Sequence, residues 1–216
     1  MIFPERIPEI LIQSSLGEIP ADLVIKNVNL VNVDTCEVID DVSIAVKSGR
    51  ISRVGNCQDI IETAELVIDG KDRYLLPGLI DSHIHLESSM LNPAEFTRIA
   101  VSHGTTAAVI DPHELANVLG ERILHLLADI LIDMPVRYFI EIPSCVPSLP
   151  GFETSENISS AQIGKMLRDG DKFIALAEMM NYPGVLFRDE EVMSKIKAAL
   201  SVNKLVEGHA PGLSGK

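Results

Sequence analysis

Apolar and polar positions divide this chain into two textures. Between about residues 22 and 69, short runs of β-forming residues alternate with turn residues, at 23–25, 28–33, 42–46, 51–54 and 66–68. Ser48-Gly49 predicts a hairpin turn between two of these runs. After Pro77 the pattern becomes strand, loop and helix in repetition, with strands predicted over 75–81, 106–110, 136–142, 173–177 and 205–207. The first intervening helix carries Asn92 as N-cap, Pro93 at its first position, Glu95 three beyond the cap and Gly104 as terminator. A second, over 114–133, shows an apolar stripe through Leu115, Val118, Leu119, Ile123, Leu126, Leu127 and Ile130. Ser159 and Gln162 open a third, closed by Gly170. Asp189-Glu190-Glu191 opens a fourth, with acids suited to the positive end of the helix dipole.

Strands alternating with helices predict an α/β fold with a parallel sheet and right-handed crossovers. A doubly wound sheet and a closed barrel both satisfy that pattern. A doubly wound sheet needs chemistry only at its switch point. Here every strand runs into a segment rich in functional side chains: His83-Ile84-His85, Asp111-Pro112-His113-Glu114, Pro143-Ser144-Cys145, Glu178-Met179-Met180-Asn181 and Gly208-His209-Ala210-Pro211. Groups at the C-terminal ends of several strands are what a barrel active site requires. The expected architecture is therefore a partial (β/α)8 TIM-type barrel of about five β/α units over 75–216, preceded by a small all-β, sandwich-like domain over 1–74. Five strands leave unpaired edges, so the chain is expected to be the N-terminal part of a longer protein. The end at Ser214-Gly215-Lys216 then reads as a cut or a truncated gene.

Composition narrows the function classes. With 216 residues, 46% of them hydrophobic, the chain can bury a sizeable core. Its formal charge of -13 opposes binding to a phosphate backbone or an anionic membrane surface, and otherwise serves solubility. Cys36, Cys57 and Cys145 lie far apart and form no C-x-x-C pair, which fits a reducing cytoplasm rather than a disulfide framework. No apolar stretch reaches the length of a membrane span, and the N-terminus lacks the basic-then-apolar order of a signal peptide.

The sharpest chemical signal is His83-Ile84-His85 at the end of an apolar strand. Residues two apart in a strand share a face, so both imidazoles point one way and form half of a site for Zn, Mn, Fe or Ni. Alone, the pair is more often a polar strand end meeting water. Glu178 and His209, taken singly, are an ordinary strand-end carboxylate and an ordinary loop histidine; together with the His pair they place four metal-type residues at three strand ends. His113-Glu114 opens a zincin-like string, but Asn117 stands where H-E-x-x-H needs its second histidine, and that reading fails. Asp111, His113 and Glu114 are left either to orient ligands or touch substrate, or, for Asp111, to cap a helix. His125 is assigned to the outer surface, His103 to a helix C-terminus, and Cys145 and the Met179-Met180 pair to packing.

The order Pro77-Gly78-Leu79-Ile80-Asp81-Ser82-His83-Ile84-His85 after a small β unit resembles the amidohydrolase superfamily. The segments 85–90, 103–106, 111–120, 143–147, 177–184 and 208–215 are similar, in order and spacing, to the adenine deaminase family. That resemblance implies hydrolysis of adenine to hypoxanthine and ammonia in purine salvage, at a binuclear centre of Mn or Fe, with Zn an alternative. It makes His83 and His85 ligands of one metal, Glu178 the bridging carboxylate and His209 a ligand of the second metal. It also implies a histidine after a sixth strand and a proton-shuttling aspartate after an eighth, positions this chain does not contain, so the chain alone is expected to be inactive. Glu87, two beyond the His pair, would repel an acidic substrate but accept a hydrogen bond from a purine N–H. Ser88, Ser89 and Asp111 are further candidate substrate contacts, and His113 a candidate catalytic group.

The expected partners are a small purine base, further copies of the chain and the missing C-terminal barrel segment, with neither nucleic acid nor membrane. A hydantoinase or dihydroorotase type is the enzymatic alternative. Those enzymes use a carboxylated lysine as bridge, whereas here the fourth strand ends in Glu178 and Lys172 precedes it. A remnant that binds metal without turnover is the non-enzymatic alternative.

Overall fold

A computed structural model describes residues 8–149, 151–153, 156–169, 172–209, 211, 212 and 214. The chain divides into two units, Met1–Pro77 and Gly78–Lys216.

The first unit is built on one sheet of four strands, β1 (Leu23–Asn32), β2 (Glu37–Lys47), β3 (Arg50–Gly55) and β4 (Leu66–Leu75), in the order β3-β2-β1-β4. The β2–β3 hairpin turns at Ser48 and Gly49, both at positive φ (50° and 70°), the backbone that matches strand twist. β1 pairs antiparallel with β2 but parallel with β4. A parallel neighbour needs a crossover, and α2 (Gln58–Ile61) lies on it; α1 (Glu9–Ser15) precedes β1. The small β unit expected ahead of the barrel is thus built on one mixed sheet, with two short helices beside it among the described residues. Ala21, Val24, Ala45, Cys57 and Ile60 form its buried cluster.

The second unit is a curled, all-parallel sheet in sequential order: β5 (Leu79–Ile84), β6 (Thr105–Ile110), β7 (Arg137–Ile142), β8 (Phe173–Met179) and β9 (Leu205–Gly208). The five predicted strands are all present. One boundary moves: Leu75 ends β4, and β5 begins only at Leu79, because Pro77-Gly78 interrupts the run. Gly78 lies so close to β6 that a Cβ on it would stand 2.1 Å from the Thr106 hydroxyl.

The helices α3 (Pro93–Ser102), α4 (His113–Leu119), α5 (Glu121–Leu131), α6 (Ser160–Arg168), α7 (Tyr182–Phe187) and α8 (Glu190–Leu200) fall between the strands. Asn92 accepts from the Glu95 N–H, Ser159 and Gln162 form a full capping box, and Asp189 accepts from the Val192 N–H. Gly170, the expected terminator of the third helix, lies outside the described residues.

The predicted 114–133 helix is broken in two. Gly120 at φ 60°, ψ -146° adopts a backbone closed to other residues. The stripe breaks with it: Val118, Leu119, Leu126 and Ile130 are exposed, while α5 buries Ile123, Leu124, Leu127 and Leu131. These join Ile140, Ile142, Phe173, Leu176, Ile163 and Leu167 in one core cluster. His125 is half-buried, its ring edge-on to Phe173 at 5.5 Å, rather than on the outer surface.

Candidate metal centre

The sheet delivers a polar side chain at the carboxyl end of each of its five strands. His83 closes β5 and His85 follows it; Asp111 follows β6; Glu141 lies near the end of β7; Glu178 near the end of β8; Glu207 near the end of β9, with His209 just beyond. Parallel pairing puts these ends side by side, so residues up to 126 positions apart in sequence meet at one rim.

His83, His85, Asp111 and Glu178 each offer a ligand atom within 4.8 Å of the others. His83 Nε2 is 3.9 Å, and His85 Nε2 3.4 Å, from Glu178 Oε1. The other Glu178 oxygen accepts from His209 Nδ1. Each imidazole is held by its far nitrogen. His85 Nδ1 donates to the Asp111 carbonyl at 2.8 Å, and His83 Nδ1 faces Glu207 Oε2 at 3.2 Å. The Ser144 hydroxyl at the end of β7 donates to the Glu178 carbonyl at 2.5 Å, tying the ends of β7 and β8 together.

These residues fit a divalent cation. His83 Nε2 and Asp111 Oδ1 are buried without a hydrogen-bond partner among the described residues, a state that normally demands an explanation such as an ion. The electrostatics agree. Burial pushes the Asp111 carboxyl up to about 7 despite the nearby His85 ring, and Glu178, Glu87 and Glu114 add to the rise. Burial pulls the His85 ring down, but the Asp111 carbonyl and the surrounding Asp111, Glu114 and Glu178 carboxylates outweigh it and leave the ring raised. A cluster that otherwise gathers protons is one that a cation can discharge. Imidazole and carboxylate donors suit Mn, Fe or Zn.

The remaining predicted residues divide. Glu87 is half-buried; its Oε1 accepts the Glu114 N–H at 3.0 Å and the Leu115 N–H at 3.4 Å, at the start of α4. Its Oε2 is buried and unpartnered among the described residues, and burial with the adjacent Glu114 pushes the group up to about 7. The structure thus commits one Glu87 oxygen to the backbone. Ser88 donates to Glu114 at 3.3 Å, whereas Ser89 spends its hydroxyl on the Leu86 carbonyl at 2.6 Å within the 3-10 turn Leu86–Ser89.

His113 stands outside the donor group. Its Nε2 meets the Ser148 hydroxyl at 2.6 Å and Asn117 at 3.5 Å, and burial pushes its pKa down. Asp111 caps no helix; Pro112 holds that position. Asn181 instead caps α7 through the Gly184 N–H.

Two residues of the rim were missed. Glu141, only 1% exposed, and Glu207 gather at the far side of His83, and the three offer ligand atoms within 4.8 Å of one another. Burial pushes Glu141 up to about 8, with Glu207 adding to it. The signals were present. Glu207 is two before His209 on the same strand face, and Glu141 is a lone charge within the apolar run Tyr138 to Ile142.

A model of the amidohydrolase family matches residues 74–216. The chain belongs to the amidohydrolase family. It is 44% identical over 204 residues to the adenine deaminase of Clostridium acetobutylicum, covering 94% of this chain and 35% of that relative. It is 43% identical over 211 residues to the adenine deaminase of Staphylothermus marinus, covering 95% and 35%. This amidohydrolase chain therefore spans about 35% of the length of the curated relatives it matches.

Among solved structures it is similar to the zinc- and phosphonate-complexed N-acyl-D-glutamate deacylase of Bordetella bronchiseptica (TM-score 0.65, 16% identity, 88% of this chain and 45% of that one). It is also similar to a zinc-bound adenosine deaminase from Xanthomonas campestris (TM-score 0.56, 15% identity, 91% and 59%). At such identities these likenesses establish the amidohydrolase barrel fold. Among the described residues no helix is long and apolar enough to cross a membrane.

Proposed function

We propose that this chain carries the first part of the metal centre of an adenine deaminase, an enzyme hydrolysing adenine to hypoxanthine and ammonia in cytoplasmic purine salvage. The reading is carried by the convergence of His83, His85, Asp111 and Glu178 on one locus, within a chain 40–44% identical over nearly all its length to curated adenine deaminases. No observation favours a cyclic-amide hydrolase, and Lys172, the lysine ahead of β8, pairs instead with Asp129.

His83 and His85 would hold one ion of a binuclear Mn or Fe centre, with Zn an alternative, and Glu178 would bridge to a second ion held by His209. When bound, such ions make hydroxide available near neutral pH and polarise the ring position under attack. The chain's own residues do the rest. The Ser144 hydroxyl and the His209 ring hold Glu178 at its backbone and side chain. Asp111, buried beside His85, is placed to hold or yield a proton at its carboxyl. Glu87 keeps its second oxygen unpartnered among the described residues and Glu114 is exposed beside Ser88, so these two carboxylates are the candidate acceptors for a purine N–H.

A barrel of this kind closes with eight strands, and five are described here. Adenine turnover is expected only when the segment closing the barrel is also present. The test is a titration of the chain with Mn(II) or Zn(II), paired with an adenine-to-hypoxanthine assay of the chain alone and supplemented with the C-terminal two thirds of the Clostridium acetobutylicum relative. Metal binding with turnover only in the supplemented sample supports the reading. Absent metal binding, or supplemented turnover of hydantoin in place of adenine, overturns it.

A further inference from the structure

The far side of His83 holds a second carboxylate pair that the metal site does not use. Glu207 Oε2 lies 3.2 Å from His83 Nδ1, within hydrogen-bond reach. Glu141 Oε2 lies behind it, 3.7 Å from the same nitrogen. Glu141 is 1% exposed and neither of its oxygens has a hydrogen-bond partner among the described residues. His83 Nε2, on the opposite edge of the ring, is buried, unpartnered and turned to Glu178.

A neutral imidazole carries one proton, and the partner of one nitrogen decides which nitrogen remains free to ligate. A carboxylate behind a ligating histidine therefore selects its tautomer, locks its ring plane and raises its basicity. His85 meets the same requirement differently, through a backbone carbonyl. A carbonyl cannot be tuned by substitution, but a carboxylate can.

We propose that Glu207, backed by Glu141, is the positioning residue of His83: it accepts the Nδ1 proton from β9 and so presents the Nε2 lone pair to the metal. This deepens the proposed metal centre and rests on it. It also gives the end of β9 two separate tasks, Glu207 behind the β5 histidine His83 and His209, just beyond the strand, against Glu178. β9 is thereby coupled to β5 across the curled sheet, with no strand pairing between them among the described residues.

The test uses the full 216-residue chain labelled with 15N in its histidines. In the metal-free wild type, long-range proton–nitrogen spectra, with His83 assigned by the loss of its signal in His83→Gln, are expected to show a protonated, hydrogen-bonded Nδ1. In Glu207→Gln the Nδ1 proton signal shifts upfield. Zn(II) affinity is expected to fall by roughly 10–100-fold in Glu207→Gln and less in Glu141→Gln, the range for outer partners of metal-bound histidines. Both substitutions keep side-chain volume, and Glu207 is partly exposed, so the fold is retained; Glu207→Asp is expected to recover part of the affinity.

An unprotonated Nδ1 in the wild type, or a spectrum and a Zn(II) affinity unchanged by Glu207→Gln, overturns the proposal. Failure of the wild type to bind metal, with the Nδ1 N–H still donating to Glu207, would remove the proposed function and leave only the orientation of the His83 ring by Glu207 standing.

Discussion

His85 and Asp111 are joined backbone to side chain: the His85 ring donates through Nδ1 to the Asp111 carbonyl at 2.8 Å. One residue thus orients a candidate ligand with its main chain while placing its own carboxylate in the same donor group. The link exists because β5 and β6 are parallel neighbours whose ends are level, Ile84 opposite Ile110.

Removing a direct donor should cost more metal affinity than removing an outer partner. His85→Ala and Glu178→Gln are each expected to weaken Mn(II) or Zn(II) binding beyond the roughly 100-fold upper end for outer partners. Isothermal titration of each variant checks this, and affinity within tenfold of wild type, on the order of 1.4 kcal/mol, would exclude the residue as a ligand.

Ser144 links two strand ends that carry the site. Ser144→Ala removes the donor to the Glu178 carbonyl while the Lys195 ammonium still donates to the Ser144 carbonyl at 2.9 Å. The expected loss of stability is about 1 kcal/mol, with more if the carbonyl is left buried and unpaired. Urea denaturation measures it, and metal affinity should fall alongside.

Lys195 predicts a stability that depends on alkaline pH. Burial of this α8 side chain pushes its pKa below the ordinary 10.5, outweighing the nearby Cys145, Glu191 and Asp189. Between the two values the unfolded chain binds the extra proton, so stability rises with pH there; below the folded-state value the penalty is fully present. Lys195→Met should flatten that rise. Denaturation midpoints from neutral pH to about 10.5, showing equal slopes for both proteins, would refute the assignment.

Gly78 sits where β5 and β6 nearly touch. A methyl group there would stand 2.1 Å from Thr106 Oγ1 and 2.2 Å from its Cγ2, so Gly78→Ala must push β5 away from β6. Because β5 carries His83 and His85, the substitution is expected to lower both melting temperature and metal affinity. The double variant Gly78→Ala, Thr106→Ala should recover much of the loss.

Leu124 tests the core. It is fully buried on α5 within the cluster that holds Ile142 and Leu176. Leu124→Ala is expected to destabilise the fold by about 2–5 kcal/mol. The neighbouring Leu126, half exposed, should tolerate the same change with a much smaller shift in melting temperature.

Much of this arrangement could be read locally. Caps and strand runs act within a few residues, so Asn92, Ser159, Asp189 and the five barrel strands follow from short stretches of chain. The His83–His85 pair follows from the strand period of two. The 114–133 helix misled because a single apolar stripe continued across Gly120, whose backbone breaks it. The spacing of Glu87 from the histidines could not show that the start of α4 would claim one of its oxygens.

Sequence alone determined which residue types stand at strand ends, since alternation, turns and caps are near-neighbour effects, and its resemblance to a family determined which chemistry to expect. Only the tertiary structure decided which nitrogen of each imidazole faces the candidate cation site and which carboxylates stand behind it. Those choices depend on hydrogen bonds between strands far apart in the chain: Glu207 reaches His83, and Asp111 reaches His85, only once parallel pairing has set their ends side by side.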